Sequence, residues 1–177
     1  MPYTMFIEIP LPHNVVILSI GSNLGNKLMN IESAYQQITE KCKISKIYSS
    51  PVIETSPWGY QSDNTFYNSA VAFESNMDDP KELLNTIQHI EKEIGRAKKS
   101  IDGIYADRLI DIDIIFFGKV MLQEKDLQIP HPKMVERSFV LNPIALIDAP
   151  FLADDFKAFM QKLIAKCPDK SEFRMNN

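Results

Sequence analysis

The stretch Arg108-Leu109-Ile110-Asp111-Ile112-Asp113-Ile114-Ile115-Phe116-Phe117 is rich in β-branched and aromatic residues and contains neither glycine nor proline. This composition predicts a buried β-strand that ends at Gly118. Because side chains alternate along a strand, Asp111 and Asp113 point to one face, with Cα atoms about 6.5–7 Å apart, and the neighbouring isoleucines point into a core. The alternative is an edge strand with solvated aspartates, which the apolar flanks disfavour.

Two carboxylates at this spacing indicate a cation site. Ionised carboxylates side by side repel each other, and burial strengthens the repulsion. A cation between them removes it, and a site with one or two carboxylates suits Mg²⁺, which completes its shell with water and phosphate oxygens. Arg108 adds a positive charge at the entry of the same strand. Carboxylates, cation and guanidinium together point to phosphoryl-group chemistry.

The predicted elements around this strand follow the order β-α-β-β-α-β. The strands cover 15–20, 44–53, 66–74 and 110–117, and the helices cover 27–41 and 80–94. We therefore predict an α+β fold with a ferredoxin-like βαββαβ core, an antiparallel sheet with two helices on one face. In this arrangement we expect the first and last strands side by side at the centre. Two shorter helices, over 139–147 and 153–166, form a C-terminal helical extension.

By length, the 177 residues form one domain. We expect an N-terminal extension over 1–14, a single domain over 15–167 and a polar, mobile tail over 168–177. The two cysteines, Cys42 and Cys167, lack metal-ligand spacing, so we expect reduced thiols in a cytoplasmic protein.

Charge and hydropathy exclude several classes of partner. The net charge of −4 disfavours a nucleic-acid-binding protein. No apolar run approaches the ~20 residues that a membrane span needs, so we expect no membrane partner. The first 14 residues lack the basic start of a signal peptide.

Polar candidates for ligand binding lie on the second helix and in the loop segments that follow it. Gln88 and Glu91 share a helix face and are placed to hold a ribose or a base edge, with a plain solvated face as the alternative. Arg96 and Lys98 begin a cation-rich loop of the kind that closes over charged ligands, although an ordinary charged surface loop has the same composition. His131 is held between Pro130 and Pro132 and is suited to donate a hydrogen bond to a phosphate, with a purely structural histidine as the alternative.

A second group of side chains suits a planar heterocycle. Such a ligand needs aromatic faces to stack on and a few polar partners for its edge. Trp58, Phe66, Phe139 and Asn68 supply these features. For the two phenylalanines, simple core packing is the alternative.

With these residues in view, the chain resembles the 6-hydroxymethyl-7,8-dihydropterin pyrophosphokinase family over about 15–146. The resemblance rests on five motifs, none of which is specific by itself. Their order and spacing along the chain are together specific for the family. The motifs are Ile20-Gly21-Ser22-Asn23-Leu24-Gly25, Glu91 with Gly95-Arg96, Arg108-Leu109-Ile110-Asp111-Ile112-Asp113-Ile114, Pro130-His131-Pro132, and Arg137-Ser138-Phe139-Val140-Leu141.

The resemblance implies an activity in folate biosynthesis: transfer of the pyrophosphoryl group of ATP to the hydroxymethyl oxygen of the dihydropterin, with release of AMP. It implies that Asp111 and Asp113 hold two Mg²⁺ ions. It implies catalytic roles for these two carboxylates and for three cations, Arg96, Lys98 and Arg108. The implied ATP-binding residues are Gln88, Glu91, Arg96, Arg108, His131 and Arg137. The implied pterin-binding residues are Thr55, Ser56, Trp58, Phe66, Asn68 and Phe139. We expect a monomer that acts on these small molecules.

The sequence departs from the family pattern in three places. Lys98 stands where the family often has a second arginine, and lysine neutralises charge without the planar bidentate contact. The loop before Arg108 is about two residues longer, and Asp107 brings a negative charge towards the phosphates. Phe66 stands where tyrosine is common, so a hydroxyl contact is lost.

Two other functions are compatible with an Asp-x-Asp strand or with this fold. A nucleotidyl transferase with a palm-like core releases pyrophosphate rather than AMP. A non-catalytic ferredoxin-like module binds its ligand without consuming ATP.

Overall fold

The computed structural model describes residues 9–59, 61–95 and 107–176. Within these ranges, helices and one main antiparallel sheet form a mixed fold. The strands are β1 Val15–Ser22, β2 Tyr48–Ser49, β3 Ile53–Thr55, β4 Phe66–Glu74, β5 Asp111–Phe117, β6 Leu122–Gln123, β7 Gln128–Ile129 and β8 Arg174–Met175. The helices are α1 Lys27–Lys41, α2 Pro80–Ile94, α3 Ser138–Ala145 and α4 Asp154–Lys166, with a 3-10 turn at Met134–Glu136.

The main sheet has the strand order β5-β1-β4-β3-β8, and β2 also pairs with β4. The predicted pairing of the first and last core strands is therefore confirmed, since β1 and β5 are antiparallel neighbours. Their predicted position at the centre is wrong, because β1 lies between β5 and β4 while β5 ends the described strand order. β5 is apolar because side chains pack on both of its faces. Along its edge away from β1, the backbone N–H of His131 donates to Ile115 O at 3.2 Å.

Helices cover both faces of the sheet. Even-numbered residues of β1, such as Leu18, pack in one buried cluster with α1 and α2. Odd-numbered residues, such as Ile17, pack in a second cluster with α3 and α4. Since successive side chains of a strand point to opposite faces, the two helix pairs lie on opposite sides. The sheet is therefore the middle of three layers.

Local signals place the helix ends where the sequence predicts them. The side chain of Asp79 accepts a hydrogen bond from Lys81 N at 2.9 Å, and Pro80 is the first residue of α2. Gly95 follows the last residue of α2 with a left-handed φ of 110°. This conformation is costly for residues with a Cβ, which explains the glycine.

The predicted strand over 44–53 is wrong in its extent. The structure has two short strands there, β2 and β3, with Pro51 between them. Proline has no N–H to donate to a sheet, so it interrupts the pairing with β4.

Described residues of both terminal segments contact the rest of the fold. Ile9 and Leu11 of the N-terminal extension are buried in the cluster beneath α3 and α4. In the polar tail, Arg174 and Met175 form β8 and pair with β3. Cys42 and Cys167 are both free cysteines, and both are buried. Among the described residues, every helix is too short or too polar to span a bilayer.

Candidate active site

A cavity of about 330 Å³ opens where the cover of α3 over the sheet ends. Along one face of β1, Val15 and Ile17 are fully buried, whereas Ser19 and Gly21 line the cavity. The same face thus changes from apolar to small and polar within one strand. The volume suits a small-molecule ligand. The lining residues are Ser19, Gly21, Thr55, Ser56, Trp58, Phe66, Asn68, Arg108, Asp111, Asp113, His131, Pro132, Lys133, Arg137, Phe139 and Val140.

The two aspartates of β5 both face this cavity, and Ile112 between them is buried on the opposite face. A guanidinium nitrogen of Arg108 lies 2.7 Å from Oδ2 of Asp111. This ion pair offsets part of the repulsion between the carboxylates. The predicted division of β5 into an acidic face and an apolar face is therefore present.

The acidic pair fits Mg²⁺ better than a metal that needs a closed protein cage. Among the described residues, no group of three or more His, Cys, Asp or Glu side chains is arranged to hold a metal ion. Mg²⁺ characteristically binds through one or two carboxylates and takes its other ligands from water and phosphates. Asp111 and Asp113 offer such oxygens at the wall of a cavity with room for phosphates.

One row of residues crosses three strands at the floor of the cavity. Gly21 pairs with Asp111 on one side and with Asn68 on the other. Strands lie roughly 4.8 Å apart, so Asp111 and Asn68 are about 10 Å apart at their Cα atoms. The Asn68 side chain donates from Nδ2 to Thr55 Oγ1 at 2.8 Å. A Cβ on Gly21 would lie 3.1 Å from Asn68 Oδ1, so the glycine leaves room for this amide.

Aromatic rings and a guanidinium form one wall. Trp58 and Phe139 have ring centroids 6.2 Å apart at an angle of 55°. The Arg137 Cζ lies 5.5 Å from the Trp58 ring and 5.7 Å from the Phe139 ring. These distances allow cation–π attraction, which is strengthened by the burial of Arg137 at 8% exposure. The wall joins a flat apolar surface to a fixed positive charge.

His131 lines the cavity, and its surroundings favour the neutral imidazole. Burial lowers its pKa below the ordinary value and Arg137 lowers it further, although the carboxylate of Asp113 opposes the shift. Its Nδ1 accepts a hydrogen bond from Lys133 N at 3.3 Å. In the neutral ring the proton then resides on Nε2, which makes that atom a hydrogen-bond donor.

Asp107 joins two loops beside Arg108. Its carboxylate accepts hydrogen bonds from Asn23 Nδ2 at 2.7 Å, Ser62 Oγ at 3.0 Å and Asn64 Nδ2 at 2.6 Å. Asn23 Oδ1 in turn accepts from the backbone N–H of Arg108 at 2.7 Å. The sequence suggested a negative charge near the phosphates, but this carboxylate is directed into the loop network.

The family model for 7,8-dihydro-6-hydroxymethylpterin-pyrophosphokinase (HPPK) matches residues 17–149. The chain belongs to this family. Its resemblance to HPPK proteins, stated above from the motifs, is thereby confirmed.

Several HPPK relatives resemble most of this chain. It is 38% identical over 140 residues to the 2-amino-4-hydroxy-6-hydroxymethyldihydropteridine pyrophosphokinase of Porphyromonas gingivalis, which covers 78% of this chain and 92% of that protein. Identity to the Bacillus subtilis protein of the same name is 33% over 135 residues, covering 76% of this chain and 78% of the relative. The folic acid synthesis protein FOL1 of Dictyostelium discoideum is also 38% identical, but the match spans 20% of its length.

A solved structure shares the fold. The crystal structure of an HPPK-DHPS protein in complex with substrates has a TM-score of 0.62 at 16% identity. The likeness covers 87% of this chain and 43% of that one.

The HPPK-family positions fall into three groups in this structure. Most line the cavity, including every residue that the resemblance assigns to the pterin. Gln88 is exposed on α2, and Glu91 is buried with its carboxylate accepting Ile112 N at 2.9 Å. Among the described residues that line the cavity, neither of these two is found. Arg96 and Lys98 lie outside the described residues.

Sequence reasoning missed Ser19 and Lys133, which also line the cavity, and it assigned no role to the motif residues Gly21, Pro132 and Val140, which line it too. Ser19 had a readable signal, because it breaks the run of apolar residues on its face of β1. Lys133 follows Pro132 directly and was open to the same argument as His131. The partners of Asp107 had no such signal, because contacts between loops distant in sequence leave no local pattern.

Proposed function

We propose that this protein transfers the β,γ-pyrophosphoryl group of ATP to the hydroxymethyl oxygen of 6-hydroxymethyl-7,8-dihydropterin, releasing AMP, in folate biosynthesis. One observation carries the proposal: the acidic pair and the aromatic wall share a single cavity. Phosphoryl-group chemistry and recognition of a planar heterocycle are therefore available side by side. Membership of the HPPK family supports this reaction.

The pterin is recognised at the end of the cavity that holds Asn68. Its ring stacks against the aromatic side chains of Phe66 and Phe139, with Trp58 behind the latter. Asn68, oriented by Thr55, hydrogen-bonds the polar edge of the ring. The Cα atoms of Asn68 and Asp111 are about 10 Å apart, so a pterin held by Asn68 can extend its hydroxymethyl group towards phosphates at the acidic pair.

The phosphates of ATP bind at the other end. Arg108 and Arg137 supply positive charge, and neutral His131 donates a hydrogen bond from Nε2. Asp111 and Asp113 would hold two Mg²⁺ ions, which neutralise triphosphate charge when bound. Arg96 and Lys98 are proposed to add positive charge from outside the described residues. Gln88 and Glu91 are proposed to act at the ATP site, Glu91 through its hold on the backbone of β5.

The protein contributes positioning and charge stabilisation. The hydroxymethyl oxygen attacks the β-phosphorus in line, a new P–O bond forms, and the bond from that phosphorus to the α–β bridging oxygen breaks. AMP leaves with the bridging oxygen, and the hydroxyl proton passes to water. Phosphoryl transfer of this kind needs little covalent help from side chains.

The first test is product analysis with ATP, Mg²⁺ and the dihydropterin. We expect AMP and pterin diphosphate in equal amounts. Release of inorganic pyrophosphate would instead favour a nucleotidyl transferase with a palm-like core. Binding without ATP consumption would favour a non-catalytic module.

The second test is Asp113→Ala, with the exposed Asp126→Ala as matched control. Loss of a metal ligand should lower kcat/KM by at least about 100-fold, since charge stabilisation is the main contribution to rate. Circular dichroism should show an unchanged fold. Near-full activity of Asp113→Ala would refute the two-metal assignment. A similar loss of activity in Asp126→Ala would show that the effect is not specific to the acidic pair.

We propose further that residues 15–167 form a single domain with a ferredoxin-like core, and that α3 and α4 are the C-terminal helical extension of that core. The strand order β5-β1-β4-β3 and the placement of α1 and α2 on one face support this topology. We propose a monomer that acts in the cytoplasm. Sedimentation equilibrium of the full chain tests the oligomeric state directly.

A further inference from the structure

The C-terminal segment 168–176 lies beyond residues 17–149, which the family model matches. It contains Asp169 and β8, and it contacts two separate elements that carry cavity-lining residues. These elements are the start of α3 and the strand β3. The segment therefore contacts two elements, α3 and β3, that each carry residues of the cavity lining.

The first contact is made by Asp169 at the start of α3. Its Oδ2 accepts from Ser138 N at 2.9 Å and from Ser138 Oγ at 2.7 Å. Ser138 is 6% exposed, and the residues on either side of it, Arg137 and Phe139, form the aromatic wall with Trp58. The first N–H groups of a helix have no partners within the helix, so this carboxylate acts as a cap supplied from 31 residues away.

The environment of Asp169 favours its charged form. Burial by itself raises the pKa, but hydrogen bonds from Ser138 and from Ser171 outweigh it and lower the pKa below the ordinary value. A negative charge at a helix N-terminus is also stabilised by the helix dipole. The cap is thus a full carboxylate at neutral pH.

The second contact is made by β8 at the edge of β3. Met175 pairs with Ile53, Arg174 pairs with Glu54, and Asn176 N donates to Val52 O at 2.9 Å. β3 ends at Thr55, which lines the cavity and orients Asn68. Chain residues immediately beyond β3 lead to Trp58.

We propose that segment 168–176 is a C-terminal brace that sets the spacing between the two sides of the pterin pocket, with Asp169 as a positioning residue. The brace joins the start of α3, which carries Arg137 and Phe139, to β3, which ends at Thr55, the hydrogen-bond partner of Asn68. Its effect on pterin affinity rests on the proposed function, whereas its effect on the geometry of the wall does not.

The test compares Asp169→Ala with Asp155→Ala in the full chain. The control is matched in part, because Asp155 Oδ1 accepts Phe156 N at 2.8 Å in the first turn of α4 and so also bonds an N–H group near the start of a helix. Trp58 is the only tryptophan of the chain, so its emission and acrylamide quenching report on the wall without any turnover. KM for the dihydropterin and kcat are measured alongside.

Loss of a helix cap typically costs about 1 kcal/mol, which changes an equilibrium constant about fivefold. We therefore expect Asp169→Ala to raise the dihydropterin KM by about fivefold, to change kcat by less than about twofold and to shift the Trp58 emission. Asp169→Asn keeps an acceptor oxygen and should restore most of the wild-type behaviour. Asp155→Ala should lower the melting temperature while leaving Trp58 emission and KM unchanged.

A second variant, Asn176→Pro, tests the other contact, because proline cannot donate to Val52 O. It should reproduce the shift in Trp58 emission. If Asp169→Ala and Asn176→Pro show the same Trp58 emission and the same KM for the dihydropterin as Asp155→Ala, the segment has only a structural role and the proposal fails. If Trp58 shifts in the variants but wild-type protein consumes no ATP with pterin, the brace stands and the proposed reaction fails.

Discussion

Asp107 illustrates how one side chain organises a site that it does not line. Its carboxylate accepts hydrogen bonds from Asn23, Ser62 and Asn64. Through Asn23 it also constrains the backbone N–H of Arg108, whose guanidinium reaches the acidic pair. The position of Arg108 therefore depends on contacts between loops that are distant in sequence.

Replacing Asp107 with alanine should lower kcat/KM for the pyrophosphoryl transfer by about 10-fold or more. The physical reason is that a misplaced charged group stabilises the transition state poorly, and an error of about 1 Å is costly. Steady-state kinetics with both substrates measures the effect.

Asp63→Ala is the matched control, since Asp63 is an exposed carboxylate in the same loop as Ser62. It should retain wild-type kinetics. Unchanged kcat/KM in Asp107→Ala would show that Arg108 is positioned without this network.

At the scale of elements, the side chain of Leu109 packs between the end of α2 and the turn before α1. A Cβ on Gly95 would lie 3.0 Å from Leu109 Cδ1, and one on Gly25 would lie 3.2 Å from Leu109 Cδ2. Both glycines have positive φ, 110° and 62°. The leucine thus packs against two backbone turns that only residues without a Cβ occupy at low cost.

Gly95→Ala should reduce the free energy of unfolding by about 1–2 kcal/mol, because alanine is strained at this φ and its Cβ crowds Leu109. Urea denaturation measures the change. Gly95→Asn serves as control, since asparagine tolerates the left-handed conformation better. It should lose less stability than the alanine variant, and equal stability of all three proteins would contradict this account of the turn.

The elements also show where local sequence is sufficient. The limits of α2 follow from Asp79, Pro80 and Gly95, each of which acts on its own neighbours. The break between β2 and β3 follows from Pro51, which is an equally local signal. By contrast, the edge position of β5 depends on which strand pairs with which, and an apolar run does not report that.

At the scale of the whole molecule, the layers decide where a ligand binds. α3 and α4 cover one face of the sheet only in part, and the uncovered part of that face forms the floor of the cavity. The chain places small and polar side chains there, at Ser19, Gly21 and Asn68. The cavity is thus the unfilled end of a core rather than a surface groove.

The attachment of α1 to the sheet predicts how stability depends on pH. Tyr35 on α1 hydrogen-bonds Ser69 on β4, which is also bonded to Ser50. Burial raises the pKa of Tyr35 above 10.0 and the charge of Glu32 raises it further, although the bond to Ser69 opposes them. The folded protein therefore keeps a proton that the unfolded chain releases near pH 10.

The stabilisation from this proton is complete below pH 10 and is lost as pH rises through the folded-state pKa. We expect the free energy of unfolding to fall more steeply above pH 10 in the wild type than in Tyr35→Phe. Denaturant unfolding at several pH values measures both slopes, and absorbance at 295 nm follows tyrosine ionisation. Parallel slopes would show that Tyr35 titrates alike in both states.

Local chemistry along the chain was enough to predict the helices, most strands, the two faces of β5 and most of the residues that line the cavity. These features depend on side-chain alternation, caps and residue type, which act over a few positions. Only the tertiary structure showed that Glu91 is buried against β5 and that Asp107 hydrogen-bonds residues of two loops. It also showed that the C-terminal segment contacts both α3 and β3. Such contacts join residues tens of positions apart, and their geometry is set by how the layers pack.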